Sequence, residues 1–345
     1  MKKDLASLLK CPACGQSSWR FSQTREDARE IREGSLACES CGAVYSILDG
    51  ILDMLGELAP EVAHEKKHAE AHSYLRTANA EYPINRETLE RFRSVFLSLP
   101  AGDGSDLFKP GGSFDNQGGN AERFFKTLEF MKLTGEETIL EVGASFGWAS
   151  WRFAQKGCRV VALEVSNYLQ AADLYFDADG AYFDRLMGDM NRLPFADQSF
   201  DIIFSHSVIH HCKDLKTLFS EFARVLRPGG RVVALHECAF GIFEDKSGKA
   251  LQEAIDEGFN ENAYTLPQWC RGAKDGGFRS VKLHFFSFID DYVYRKNLRG
   301  SRDTWKLRLA QRIQAMPALH GLLNGLSAIP RILLRPKAWM MTAYR

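Results

Sequence analysis

The segment that most constrains this chain is Glu141-Val-Gly143-Ala-Ser145-Phe-Gly147. It follows a short apolar run, Thr138 to Leu140, and leads into Trp148 to Phe153, which can start a helix. An acid and a glycine-rich turn between strand and helix suit a nucleotide site, because glycines let the backbone approach a ligand and adopt positive φ. Two glycines in such a turn are common, so the signal gains weight from the strands downstream of it. Arg159 to Leu163 reads as a second strand ending on Glu164, an acid that suits a ribose diol. Leu186 to Met190 carries Asp189 at a third strand end, and Phe200 to His206 reads as a fourth, buried strand. A helix closing with Glu221 to Leu226, the turn Arg227-Pro228-Gly229-Gly230 and a fifth strand over Arg231 to Leu235 complete the series. Strands alternating with helices predict an α/β doubly wound parallel sheet, its ligand beyond the carboxyl ends of the strands.

Over about residues 121–240, these features resemble the class I S-adenosylmethionine-dependent methyltransferases of the methyltransferase type 11, or ubiquinone-methyltransferase-like, kind. The resemblance implies a Rossmann-like seven-stranded sheet. It makes Glu141, Gly143, Ser145 and Gly147 the loop that wraps the methionine and ribose parts of S-adenosylmethionine. Glu164 becomes the ribose acid, Asp189 and Met190 the adenine contacts, and Ser205 a further cofactor contact. Ser145 departs from the usual middle glycine, and its Cβ makes a left-handed backbone costly there. A nicotinamide enzyme is the other reading of such a loop. The G-x-G-x-x-G spacing is missing, however, and the third acid and the Arg-Pro-Gly-Gly turn fit methyltransferases better.

Cys11-Pro-Ala-Cys14 and Cys38-Glu-Ser-Cys41 form two C-x-x-C knuckles, with Gly15 and Gly42 following where the chain must turn. Four thiolates at this spacing can surround one Zn²⁺ and leave no open position for water, which makes the metal structural. With Ala43 to Leu55, the segment resembles the small zinc-binding module of the tRNA methyltransferase activator family. The expected role of the metal is to fold a segment too small for a core of its own.

The organisation read from the sequence is a zinc-binding module at 1–56, a helical linker or lid at 57–120, the core at 121–286, a basic helical insertion at 287–337 and a final strand at 338–345. Asn85 is placed to cap a helix from Arg86 to Leu99, and 100–119 reads as a linker, with Phe108, Phe114 and Asp115 as lid candidates. His64-Glu65-Lys66-Lys67-His68 fits H-E-x-x-H, with His72 four residues on. Its lysine- and alanine-rich flanks suggest a solvated charged helix and not a metalloprotease.

Methyl transfer from a sulfonium is an in-line displacement needing alignment, exclusion of water and sometimes a base. His206 at the tip of strand four is the first candidate base and Glu237 after strand five the second. His211 resembles a histidine often found there, which can brace the loop. Phe278 to Phe286 and Ala338 to Tyr344 read as an antiparallel pair, strands six and seven. The insertion between them carries ten basic and three acidic residues, a net of +7. Trp305, Leu309, Ile313 and Met316 share one helical face there. This is either a cap packed on the core or a platform for an anionic or lipid-linked acceptor at a membrane surface.

Basic and acidic residues balance at 44 each, giving no sign of bulk nucleic-acid attraction. Eight cysteines, four of them at metal spacing, and no apolar leader point to a reducing cytosol. The expected enzyme methylates a small-molecule, glycan or lipid-linked acceptor, with peripheral membrane contact through 295–337. The runner-up is an RNA base methyltransferase that uses the ribbon to grip RNA. Residues 1–56 carry a net charge of −1, however, and an RNA-reading ribbon should be basic. A cofactor-binding scaffold without chemistry ranks third.

Overall fold

The computed structural model describes residues 1–71, 73–114, 120–244, 262, 264–298, 304–334, 336 and 338–345. His72, Asp115, Arg299, Arg302, Asp303, Arg335 and Lys337, all of interest in the sequence, lie outside the described residues.

The chain opens with four antiparallel strands, β1 (Trp19–Glu26), β2 (Ile31–Cys38), β3 (Val44–Leu48) and β4 (Ile51–Asp53). Helix α1 (Pro60–Ala71) follows, then the hairpin β5 (Tyr74–Arg76) and β6 (Glu81–Pro83), and helices α2 (Arg86–Arg91), α3 (Arg93–Ser98) and α4 (Asn120–Met131). The α/β core comprises β7 (Thr138–Val142), α5 (Trp148–Ala154), β8 (Arg159–Glu164), α6 (Ala172–Asp179), β9 (Asp184–Met187), β10 (Phe200–His206), α7 (Leu215–Val225) and β11 (Leu226–Leu235). Strands β12 (Ser280–Phe285) and β13 (Trp339–Tyr344) finish the sheet.

The order of the core strands is β9-β8-β7-β10-β11-β13-β12, parallel except for β13. Every residue of β7 is buried, as expected of a parallel strand covered by helices on both faces. One such cover is α7, which buries Leu215, Leu218, Phe219, Phe222 and Val225 along one stripe and is capped by Asp214. The chain runs outward in both directions from the β7–β10 pair. The sheet therefore has a topological switch point there, with a crevice at the carboxyl ends.

The sheet has eleven strands where seven were expected. The extra four are the cysteine ribbon, whose β4 pairs parallel to β9 through Ile51↔Arg185, Leu52↔Leu186 and Asp53↔Met187. This pairing covers what would otherwise be an open sheet edge. Leu5, Leu9, Leu36 and Leu52 join one buried cluster with Leu163, Leu186 and Phe195. The ribbon therefore shares the core's interior, which corrects the expectation of a module relying on its metal alone.

The Asn85 side chain accepts from Thr88 N–H at 2.9 Å and caps α2, while the expected single helix is broken at Phe92. The linker expectation for 100–119 fails over its described part. Leu107 and Phe114 are buried, and Phe114 meets Phe96 and Phe146 edge to face. Between β12 and β13 lie helices Phe288–Leu298, Trp305–Gln314, Pro317–Leu326 and Ala328–Leu333. Ion pairs tie their base to α4, from Asp291 to Arg123 at 2.6 Å and from Asp290 to Lys126 at 2.9 Å. The apolar face does not pack inward as a cap would, since Leu307 is the buried residue of 304–334. No helix among the described residues is long and apolar enough to cross a membrane.

Candidate functional site

A cavity of about 550 Å³ opens at the carboxyl ends of β7, β8, β9 and β10. Its floor is the turn after β7. Gly143 has φ +66°, and a Cβ there would come within 2.4 Å of Val208. Gly147 has φ +78°, and a Cβ would meet Phe183 at 2.7 Å. Both positions therefore need glycine for backbone angle and for space. Ser145 takes a left-handed φ of +48° despite its Cβ, and its N–H donates to Glu164 Oε2 at 2.7 Å. Ser207 and His236, also non-glycine, have φ of +57° and +60° at the ends of β10 and β11. Ser145 and Ser207 thus bring left-handed backbone to the cavity wall, a conformation functional sites often hold.

Three acids face the cavity from successive strand ends: Glu141, Glu164 and Asp189. Burial pushes the Glu141 carboxyl up to about 8, against the hydrogen bond it accepts from Ser150 Oγ. Burial also raises Glu164, whose Oε1 accepts from Val165 N–H at 2.8 Å. Asp189 Oδ1 accepts from the backbone and side-chain amides of Asn191, both at 2.8 Å, and Met190 lines the wall beside it.

His206 also lines the cavity, edge-on to Trp148 at 5.4 Å between ring centres and 5.0 Å from His236. Its Nε2 is buried with no hydrogen-bond partner, and burial lowers the imidazole to about 4, so the ring is neutral at pH 7. His211 lines the cavity near Glu65, Nδ1 to Oε1 at 3.7 Å. Glu237 does not face the cavity. It is buried behind the loop, takes the Ser205 hydroxyl and lies 2.8 Å from His210 Nδ1. Although burial pushes its carboxyl up, His210 and the other donors outweigh this and hold it below its ordinary range. Glu237 and Ser205 thus brace the loop after β10, and neither is placed to touch a bound molecule. Cys212 also lines the wall, but burial pushes its thiol up to about 12, which leaves it inert.

The sequence offered a lid within 57–120, with Phe114 among its candidates, but did not single out α1 as a wall. Helix α1, read from sequence as a solvated charged helix, presents Val62, Glu65 and Ala69 to the cavity, and Tyr168 Oη donates to Ala69 C=O at 2.8 Å. The spacing of these three residues places them on one helical face. The face is too polar to stand out as amphipathic, and no residue of α1 is buried. Phe114 and Phe146 add an aromatic wall, with Phe146 stacked on Tyr168 at 5.1 Å. Among the described residues, the histidines of α1 form no metal cluster.

The four knuckle thiols do form one, with all Sγ atoms within 4.8 Å of one another. Cys11 and Cys41 are 3.7 Å apart, and Cys14 and Cys38 are 3.6 Å apart. A tetrahedron with Zn–S bonds of about 2.3 Å has S–S edges of about 3.8 Å, so this set fits zinc. Each knuckle is closed by a glycine amide, Gly15 N–H to Cys11 C=O and Gly42 N–H to Cys38 C=O, both at 2.8 Å.

Residues 140–234 match the family profile described as a methyltransferase domain, and residues 2–50 match that of the Trm112p-like proteins. The chain therefore carries a stretch similar to the Trm112p-like proteins ahead of one similar to a methyltransferase domain. Malonyl-[acyl-carrier protein] O-methyltransferase of Hamiltonella defensa is 34% identical over 133 residues, 38% of this chain and 50% of that protein. The Serratia marcescens protein of the same name is 33% identical over 174 residues, 48% and 63% of the two chains. The chain thus spans about half the length of the curated relatives it matches. Among solved structures, phosphoethanolamine N-methyltransferase 2 of Haemonchus contortus has a TM-score of 0.48 at 20% identity, covering 76% of this chain and 61% of that one. A complex of the Haloferax volcanii Trm112 methyltransferase activator with a methyltransferase has a TM-score of 0.45 at 18% identity, covering 76% and 98%.

Proposed function

We propose that this chain transfers a methyl group from S-adenosylmethionine to a small-molecule or lipid-linked acceptor. One observation carries the reading: a single cavity gathers Glu141, Glu164 and Asp189 from three consecutive strand ends around the Gly143–Gly147 turn. The bound cofactor supplies an electrophilic methyl on a sulfonium. In this reading Glu164 accepts the ribose hydroxyls while holding the Ser145 amide, and Asp189 with Met190 flanks the adenine. Glu141 lies beneath the cationic end, and α1, Phe114 and Phe146 exclude water. His206, neutral and with Nε2 unpartnered, would accept the proton released as the acceptor atom bonds to the methyl carbon, the sulfur–methyl bond breaks and a neutral thioether leaves.

The relatives' name specifies malonyl-[acyl-carrier protein] as acceptor. The described cavity lining holds carboxylates on several sides and one cation, Lys213, which faces Glu61 at 3.7 Å. That balance favours a neutral or cationic acceptor group over a carboxylate. The test is incubation with methyl-labelled S-adenosylmethionine and acceptor fractions, alongside calorimetry of cofactor binding. His206→Asn should lower kcat by about 10²–10⁴-fold and leave cofactor affinity nearly unchanged. Absence of cofactor binding by the wild-type protein defeats the whole reading, and unaltered turnover in the variant defeats the base.

A further inference from the structure

We infer that the helices between β12 and β13 dock on an anionic lipid surface. Residues 304–334 contain Lys306, Arg308, Arg312 and Arg331 and no carboxylate, in a chain whose charges balance overall. Most of their large apolar side chains are exposed, although Leu307 is buried and Ile332 packs partly against the core. Trp305 and Leu309, four residues apart, are 64% and 49% exposed, and Leu322 and Leu326 are 59% and 61% exposed. Leu319 precedes Leu322 by three residues on the same face, and Ile329 continues the exposed series on the next helix. The helices Pro317–Leu326 and Ala328–Leu333 have no buried residue; Ile332 and the Asn324 and Arg331 side chains hold their inner side to the core, and the rest of the apolar surface is left outward.

The occupant follows from charge and shape. Exposed cations at Lys306, Arg308 and Arg312 beside an outward apolar face are the pattern of a helix lying in the headgroup boundary of an anionic bilayer. The segments are too short to span. A second copy of the chain fits poorly, because a two-fold contact would set this acid-free basic surface against itself. An acidic protein partner would match the charge. The apolar side chains are spread along consecutive helices, however, and are not gathered into a pocket for a few anchors. The base of the segment is held to the core by the Asp291–Arg123 and Asp290–Lys126 pairs, and Asn120 at the start of α4 lines the cavity. Docking there would bring lipid close to the cavity, although lipid binding itself does not depend on the reaction.

The test is cosedimentation of the full chain with vesicles of phosphatidylglycerol and phosphatidylcholine, and with vesicles of phosphatidylcholine alone. Binding should require the anionic lipid and fall as salt rises. Leu322→Ser/Leu326→Ser should weaken it roughly tenfold or more, as should Lys306→Glu/Arg312→Glu. Both pairs are exposed, and circular dichroism would verify that the variants are folded. Absence of vesicle binding overturns the inference, as does binding unchanged in both variants. So would either alternative found without vesicle binding: a dimer abolished by the leucine substitutions, or saturable binding to an acidic acyl carrier protein.

Discussion

Glu164 Oε2 accepts the Ser145 backbone N–H at 2.7 Å, so the acid that ends β8 holds the turn that ends β7. The carboxylate offers both oxygens, and this bond leaves lone pairs for a ribose diol. Ser145 sits at φ +48°, where a non-glycine residue costs about 1–2 kcal/mol. Ser145→Gly should therefore keep cofactor affinity and relieve strain, offset in part by greater freedom of the unfolded chain. Glu164→Ala should weaken cofactor binding by about 1.5–3 kcal/mol, the range for hydrogen bonds to a charged group. Calorimetry of both variants checks this. A Ser145→Gly protein that loses affinity would show that the hydroxyl itself contacts the cofactor.

Glu141 predicts a pH dependence. Burial raises its carboxyl from 4.5 to about 8, so it is largely protonated at neutral pH in the free protein. A cationic ligand favours the carboxylate form, so binding releases a proton. Affinity for S-adenosylmethionine should then rise from pH 6 toward pH 8 and level off above. S-adenosylhomocysteine, with a neutral sulfur, should show a weaker trend, and Glu141→Gln should flatten the profile. The same shift bears on stability with a fixed sign. Because the folded value lies above the unfolded one, the group's stabilising contribution is full below pH 4.5 and is lost as pH rises toward 8. Glu141→Gln should accordingly melt higher than wild type at pH 8 and lose that advantage near pH 4.5.

The core sheet was legible because its information is local. Each central strand is a continuous apolar run, and Glu141, Glu164 and Asp189 mark strand ends in order. The zinc set was legible for the same reason, since Cys11 and Cys14, and Cys38 and Cys41, are paired by spacing alone. What escaped depends on contacts between distant segments. Nothing in Ile51-Leu-Asp53 announces that it pairs with β9, and Val62, Glu65 and Ala69 form too polar a face to be read as a cavity wall. Glu237 had the right position for a base, but only the fold shows its carboxylate turned toward Ser205 and His210. Trp305 and Leu309 were equally consistent with burial or exposure, because periodicity identifies a face and not what the face meets.

Arg185 and Glu30 form a fully buried ion pair across the β4–β9 seam. Arg32 extends it from Glu30 at 2.7 Å to Asp173 at 2.6 Å, and the Met1 nitrogen adds a contact to Glu30 at 2.9 Å. A Cβ on Gly50 would collide with both Arg185 and Glu30, so the packing leaves room only for glycine there. Burial alone would raise the Glu30 carboxyl, but Arg185 and the amine outweigh it and hold it below its ordinary range. Removing one partner strands a buried charge. Arg185→Met should destabilise the protein by about 3–5 kcal/mol, and the double variant Arg185→Met/Glu30→Gln by less. Because the folded carboxyl lies below its unfolded value, the stability it contributes is present above about pH 4.5 and lost as pH falls. Urea melts of the two variants at pH 7 and pH 4 would check both statements.

The zinc site should act on the cofactor cavity from a distance. Its first knuckle precedes β1, its second joins β2 to β3, and the ribbon continues through β4, just beyond which Met54 N–H donates to Met187 C=O at 2.9 Å. Met187 is two residues before Asp189, so the ribbon borders the segment assigned to the adenine. Elemental analysis should find one zinc per chain, and Cys38→Ser/Cys41→Ser should abolish it. Loss of the metal should free the ribbon, uncover Leu52 and Leu186, and lower the melting temperature by about 1–2 °C for each kcal/mol lost. Limited proteolysis should then cut first within 1–56. Cofactor affinity should fall too, and more than it does in a variant that destabilises the far side of the sheet, such as Trp339→Ala in β13, next to the edge strand β12. A native protein without metal would defeat the zinc assignment. A zinc-free variant with unchanged cofactor affinity would retain the metal as structural and remove its link to the cavity.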